Sequence, residues 1–269
     1  MSSLKSILSK AEYHLSIPKF NIWKSLYINF RLLPFSQAIH FPILIYGKMK
    51  FHWLTGRIIF KCPIRKGILK IGKNLDFFAP AESSSILLQG DLVIFGQCNI
   101  SINSNVRISK NGILEIGAFT FFGANTKIVC VNKIAIGGHT QFAFGCNLMD
   151  TNFHYMYNTD TKEVYKRDGE IKIAEKNWFG NNCSIYKGTK TKPFTTVSSH
   201  SMTNKDYTDL YGDGFILAGS PAKLLSNNTK RIFSTSIESE FVSNLSHYEK
   251  TFLNKVDEFK SFENHMIKQ

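Results

Sequence analysis

Ile173-Ala174-Glu175-Lys176-Asn177-Trp178-Phe179-Gly180-Asn181-Asn182-Cys183-Ser184-Ile185 is the stretch on which the fold turns. Its large apolar residues stand six apart, at Ile173, Phe179 and Ile185, and the beat continues at Val197 with Thr191 as an interruption. Four residues after each large position comes a small or short side chain: Asn177, Cys183, Thr189, Thr195, Ser201. The same beat runs upstream through Ile116, Phe122 and Ile128, with Thr120 and Thr126 at the small positions. It resumes at Ile136, Phe142 and Leu148, with Thr140 and Cys146. A period of six is neither the 3.6 of a helix nor the 2 of an ordinary strand, and it marks a solenoid of short strands separated by turns. Each flat face then contributes one large and one small residue to a narrow triangular interior, where a larger residue at the small position would overfill the corner.

The 269-residue chain as a whole has the composition of an ordinary soluble globular protein, 43% hydrophobic and 20% charged. The longest apolar run, Phe41 to Tyr46, is far short of the roughly 20 residues that a membrane-spanning helix needs. Charged and polar residues recur every few positions after Met1, so no signal-peptide core is expected. The five cysteines (Cys62, Cys98, Cys130, Cys146 and Cys183) contain no Cys-x-x-Cys pair, which points to reduced thiols in a cytoplasmic setting rather than disulfides or a zinc knuckle. Cys98, Cys146 and Cys183 fall at small hexad positions, where a thiol packs as a small apolar group.

The net charge of +13 is unevenly spread. Residues 1–75 hold thirteen Lys and Arg against one acid, Glu12, which leaves the remainder of the chain close to neutral. Such an asymmetry concerns partners rather than fold. The basic residues are scattered and no nucleic-acid-binding motif is recognisable, so nucleic acid is not expected as a partner. Phe20, Trp23, Tyr27, Phe30, Phe35 and Phe41 are interleaved with them, which suits peripheral contact of residues 1–60 with the anionic inner face of a membrane.

Three segments follow from the pattern. Residues 1–60 lack the hexad and read as a basic helical segment: Leu4, Ile7, Leu8, Ala11 and Leu15 lie on one helical face up to Pro18, and Trp23, Leu26, Tyr27 and Phe30 form a second stripe ended before Pro34. Residues 61–224 form the solenoid, interrupted by an inserted loop at 150–172 where the beat disappears into polar and aromatic residues. Residues 225–269 read as an amphipathic helix, with a capping box at Thr235 and Glu238 and apolar residues from Ile237 to Phe259 at helical spacing.

The solenoid with its loop, Met149-Asp150-Thr151-Asn152-Phe153-His154-Tyr155, followed by Asn177-Trp178-Phe179-Gly180, resembles the left-handed β-helix, hexapeptide-repeat O-acetyltransferases, which include galactoside and maltose acetyltransferases and polysaccharide-modifying enzymes. Ser201-Met202-Thr203-Asn204-Lys205-Asp206 and Ala218-Gly219-Ser220-Pro221-Ala222-Lys223 are similar to that family's closing segments, and the match spans about residues 92–224. The resemblance implies an all-β, left-handed parallel β-helix, a homotrimer with sites between neighbouring helices, acetyl-CoA as donor, no metal, and a sugar or glycan acceptor in surface-polysaccharide biosynthesis. It implies His154 as general base, since imidazole titrates near neutrality and can take a hydroxyl proton.

Carried over residue by residue, Trp178 would pack beside the cofactor arm or acceptor, Asn181 would hydrogen-bond near the thioester, and Ser199 would contact pantetheine through its backbone. Lys205 and Lys223 would face the adenosine phosphates, and Asn125 is the nearest candidate for acceptor contact. Asp150 either orients His154 or ends a strand through its side chain. The family's usual Gly-Ala-Gly-Ser turn is here Ser198-Ser199-His200-Ser201, which implies a differently shaped groove. His139 and His200 sit in hexad turns and read as surface residues. Two other classes compete: an N-acetyltransferase acting on a nucleotide-linked amino sugar, and a metal enzyme of the γ-class carbonic anhydrase type. The second needs three converging histidines, two of them about five residues apart, whereas His139, His154 and His200 are separated by 15 and 46.

Overall fold

The six-residue beat is realised as three parallel sheets around one interior. The computed structural model describes residues 18–73, 83–233 and 238–239. One sheet has nine strands, running from Ile43–Ile45 to Ala222–Asn227; a second has seven, from Lys48–His52 to Met202–Thr203; the third has five, from Arg57–Phe60 to Ile171–Ile173. The chain visits the three sheets in turn, so each strand pairs in parallel with its equivalent one coil away, as in Thr120↔Cys98, Ile128↔Val106 and Ile136↔Ile116. The architecture is a left-handed parallel β-helix.

The interior explains the choice of residue at each hexad position. The rings of Phe122, Phe142 and Phe179 stack coil upon coil at 4.8 Å between centroids, and all three are fully buried. The small positions are buried too, and threonine serves there for a second reason. The hydroxyls of Thr120, Thr126, Thr189 and Thr195 each donate to the carbonyl three residues earlier, at 2.7–2.8 Å. A small side chain thus fills the corner and satisfies the turn that makes it. Asn177 does the same with its amide, which lies 2.9–3.1 Å from the carbonyls of Ala174, Glu175 and Lys192. Thr191, which breaks the apolar series, is buried and accepts the Ala174 N–H at 3.1 Å. Burial pushes the Cys98 thiol up to about 12, and the neighbouring Cys183 sulfur together with burial pushes Cys146 up, so both behave as packing groups.

The β-helix starts earlier than the hexad pattern indicates. The first coil is Ile43–Ile45, Lys48–His52 and Arg57–Phe60, eighteen residues before the expected start at 61. Its spacing is irregular, so the beat does not register there, but the parallel ladders are continuous with the next coil. The expected helix of the second aromatic stripe forms as α1 (Ile22–Leu32), followed by the short α2 (Phe35–Ala38). The first stripe, Leu4 to Leu15, lies outside the described residues.

At the other end, Ala222–Asn227 is a strand antiparallel to Phe215–Gly219, so the solenoid body runs past the expected boundary at 224. Residues from Arg231 onward form a separate unit, and most of the expected C-terminal helix lies outside the described residues.

α1 is held by its polar side. Ser25, Ile28 and Asn29 are buried, whereas Trp23 is 78% exposed and Tyr27 and Phe30 are also exposed. The reason lies in the strand it covers. Ile43–Ile45 is the first strand of the nine-stranded sheet, and its outer edge has no strand partner among the described residues. Asn29 Nδ2 donates to Ile43 O at 2.7 Å, Ile43 N–H donates to Asn29 Oδ1 at 3.1 Å, and Ile45 N–H donates to Ser25 Oγ at 2.9 Å. The Asn21 N–H completes the edge on Ile45 O at 2.8 Å. A helix that must close a strand edge has to turn hydrogen-bonding side chains inward.

Candidate active site

The insertion leaves the vertex between the seven- and five-stranded sheets, after Asn147–Met149. The body resumes at Ile171–Ile173, paired with Ile134–Ile136, so the insertion ends at Glu170 rather than 172. Its neck is tied at every step. Asp150 O accepts the Gly169 N–H at 2.9 Å, and Asn152 N–H donates to Arg167 O at 3.0 Å. The Thr151 hydroxyl donates to Asp168, which Arg167 also holds at 2.9 Å. Hydrogen bonds from Arg167 keep the Asp168 carboxyl below the usual carboxylate range. Lys187 Nζ reaches the Lys166 carbonyl, and the Gly188 N–H donates to Glu170 O at 2.9 Å.

Phe153 follows the neck in a left-handed conformation (φ 59°), with its N–H on Thr151 Oγ1 at 3.0 Å and its ring beneath the Arg107 guanidinium at 5.8 Å. His154 comes next, exposed, where the hydrogen-bonded neck gives way to the antiparallel hairpin of Met156–Tyr157 and Val164–Tyr165. The Arg167 guanidinium lies over the Tyr155 ring at 5.5 Å. His154 is therefore a solvent-facing imidazole on a positioned base. Arg107, Thr151, Arg167 and Asp168, which build that base, carry no repeat signal in the sequence.

Asp150, expected either to orient His154 or to end a strand, turns inward to the backbone. Its side chain is fully buried, and its two oxygens accept the Val131 and Asn132 N–H groups at 2.8 Å each. Burial raises its pKa, partly offset by those two backbone donors. The carboxylate closes the turn of the preceding coil and anchors the neck.

Asn125 is exposed at a vertex where successive coils need a left-handed residue. Asn103, Asn125, Gly145, Asn182 and His200 stack there with φ of 57–74°, each of the last four donating its N–H to the coil below. Asparagine tolerates that conformation better than most residues, which accounts for Asn125 locally.

Trp178 stands on the outer surface of the nine-stranded sheet, 36% exposed, between Gln141 and Thr196 in the ladder. That sheet lies opposite the vertex from which the insertion leaves. Asn181 and Ser199 are neighbours at the next vertex, where Asn181 N–H donates to Ser199 Oγ at 3.1 Å. Lys205 and Lys223 are both exposed at the C-terminal end of the solenoid, and Tyr207, under Lys205, links their segments by donating its hydroxyl to Ala222 O at 3.1 Å. Within one chain the expected residues do not converge: His154 is on the insertion, Asn181 and Ser199 lie across the seven-stranded sheet from it, Trp178 is on the nine-stranded sheet, and Lys205 and Lys223 are at the C-terminal end of the solenoid. Among the described residues, no group of three or more His, Cys, Asp or Glu is arranged to hold a metal.

Fold and insertion together define a hexapeptide-repeat β-helix protein with a histidine-bearing arm. Among solved structures, the chain is similar to the polysialic acid-specific acetyltransferase NeuO, at 18% identity over 73% of this chain and 97% of that one, with a TM-score of 0.48. It is also similar to the polysialic acid O-acetyltransferase OatWY (17% identity, 74% and 99% covered, TM-score 0.41). A third is AntD, an N-acyltransferase from Bacillus cereus (14% identity, 76% and 89% covered, TM-score 0.31). No protein-family model matches the chain, and no curated protein matches its sequence.

Proposed function

We propose that this protein is an acetyl-CoA-dependent O-acetyltransferase that modifies a sugar hydroxyl of a surface glycan, with His154 as general base. The observation that carries this reading is the placement of His154: an exposed imidazole set by Asp150, Thr151 and Asp168 at the root of an arm on a β-helix. In the reaction His154 takes the hydroxyl proton as the sugar oxygen attacks the thioester carbonyl. The tetrahedral intermediate collapses with cleavage of the C–S bond, and the departing CoA sulfur recovers the proton from His154. Backbone N–H groups at the coil vertices are available to stabilise the oxyanion. Lys205 and Lys223 serve the CoA phosphates as point charges.

The separation of His154 from Asn181 and Ser199 within one chain supports a homotrimer in which the arm of one subunit completes the groove of its neighbour. The arm carries exposed Phe153, Tyr155, Met156, Tyr157, Val164 and Tyr165, an apolar surface of the kind that a second copy would cover. No helix among the described residues is long and apolar enough to cross a membrane. The test is transfer from labelled acetyl-CoA to free, nucleotide-linked and lipid-linked sugars. His154→Ala should lower turnover by about 10²–10⁴-fold with CoA binding retained; near-normal turnover removes His154 from the mechanism. Transfer to amino sugars alone would replace O- with N-acetylation.

A further inference from the structure

We infer that the outer face of α1 and α2 is a docking surface for an anionic lipid bilayer. On α1, Trp23, Tyr27 and Phe30 share one outward arc, opposite the buried Ser25, Ile28 and Asn29. The arc continues beyond the helix: the Phe30 ring meets Phe35 at 5.9 Å, and Phe35 is 72% exposed. This orientation is not one the helix can relax by rolling its rings inward. The hydrogen bonds of Ser25 and Asn29 to Ile43 and Ile45 would be lost, and the edge of the first strand would be left open. The apolar face is outside because the polar face is needed inside.

Charge selects the partner. Residues 18–73 contain eleven Lys and Arg and no Asp or Glu. Lys24 and Arg31 flank the arc on α1, and Lys48 and Lys50 are exposed on the strand whose Phe51 stacks on Tyr27 at 5.6 Å between centroids. A second copy presenting the same surface would set basic residues against basic residues. A soluble polyanion would meet the charges and leave Trp23 and Phe35 in water. An anionic bilayer meets both, with the rings in the headgroup region and the lysines at the phosphates. Because α1 closes the first strand, this surface sits at the N-terminal end of the solenoid, away from Lys205 and Lys223 at the other end.

The experiment is co-sedimentation of the full-length protein with vesicles of phosphatidylglycerol and phosphatidylcholine, and with phosphatidylcholine alone, at low and high salt. Binding to the anionic vesicles at low salt, weakened by high salt, is the expected result. The pair Trp23→Ser/Phe35→Ser should lower that partitioning by about tenfold, and Lys48→Glu/Lys50→Glu by a similar factor, with circular dichroism and melting unchanged because all four side chains are exposed. A blue shift of Trp23 emission on vesicle addition should disappear in the first pair. Absence of binding to anionic vesicles at low salt overturns the inference. So does binding that the Trp23→Ser/Phe35→Ser pair leaves intact, which would mark a purely electrostatic surface for a soluble polyanion. Self-association in ultracentrifugation that this pair abolishes also overturns it, in favour of a second copy. Acetyl transfer to a soluble acceptor is expected to be unchanged in both pairs, so this surface and the catalytic reading fail or stand separately.

Discussion

In the coils between Thr120 and Val197 the rings of Phe122, Phe142 and Phe179 point inward and stack; in α1 the rings of Trp23, Tyr27 and Phe30 are exposed, and Ser25 and Asn29 face inward beside Ile28. Both regions nevertheless follow one rule, that every buried backbone group needs a partner. In the coils the parallel ladders satisfy the strands, so only the turns need help, and threonine at the small position supplies it while Phe122, Phe142 and Phe179 fill the rest. At the first coil the ladder ends. The edge of Ile43–Ile45 has to be closed from outside the solenoid, and α1 closes it with Ser25 and Asn29 at the cost of exposing its rings. The place of a ring in this fold is thus set by where the hydrogen bonds are already made.

The sharpest way to break that comparison is to remove a ring from each region. Phe142→Ala opens the middle of the stack and should destabilise the protein by about 3–5 kcal/mol, whereas Trp23→Ala should stay within about 0.5 kcal/mol, both read from denaturant midpoints. Equal losses would mean that α1 packs on its aromatic side. A second contrast tests register within the solenoid. Thr189→Phe forces a ring into a buried corner and should cost about 1–3 kcal/mol or more, while Lys190→Phe, one residue on and facing the Asp206 carboxylate at the surface, should have a far smaller effect on melting. Identical melting temperatures would shift the hexad by one residue. The smallest effect sharpens the comparison at the edge. Asn29→Leu adds apolar surface to a buried helix position, yet should lower stability by at least about 1 kcal/mol, because it strands the Ile43 N–H and C=O. A more stable variant would show that the strand edge does not need its cap.

The catalytic reading shows a similar division. Asp150 and His154 are four residues apart, and spacing alone leaves open whether the carboxylate serves the imidazole or the backbone. The structure commits Asp150 to the Val131 and Asn132 N–H groups, so it acts on His154 only by fixing the neck. Thr151, Arg167 and Asp168, which complete the neck, are polar residues in a polar loop and could not be singled out in advance. Ser25 and Asn29 did leave a trace, a polar pair at i and i+4 facing away from the aromatic stripe, but its meaning depends on a strand edge fourteen or more residues away.

From the sequence by itself came the solenoid, the inward set of residues from Ile116 to Val197, the interruption after Met149, and the helix before Pro34, because a six-residue period is a local steric requirement that repeats. What tertiary structure alone decided was the first coil at Ile43, the antiparallel closing strand at Ala222–Asn227, the side of α1 that faces in, and the distance of His154 from Asn181 and Ser199. Those features arise where the repeat stops. At an end or a vertex of the solenoid the neighbouring coil no longer supplies the hydrogen bonds, and the residues that replace it come from elsewhere in the chain.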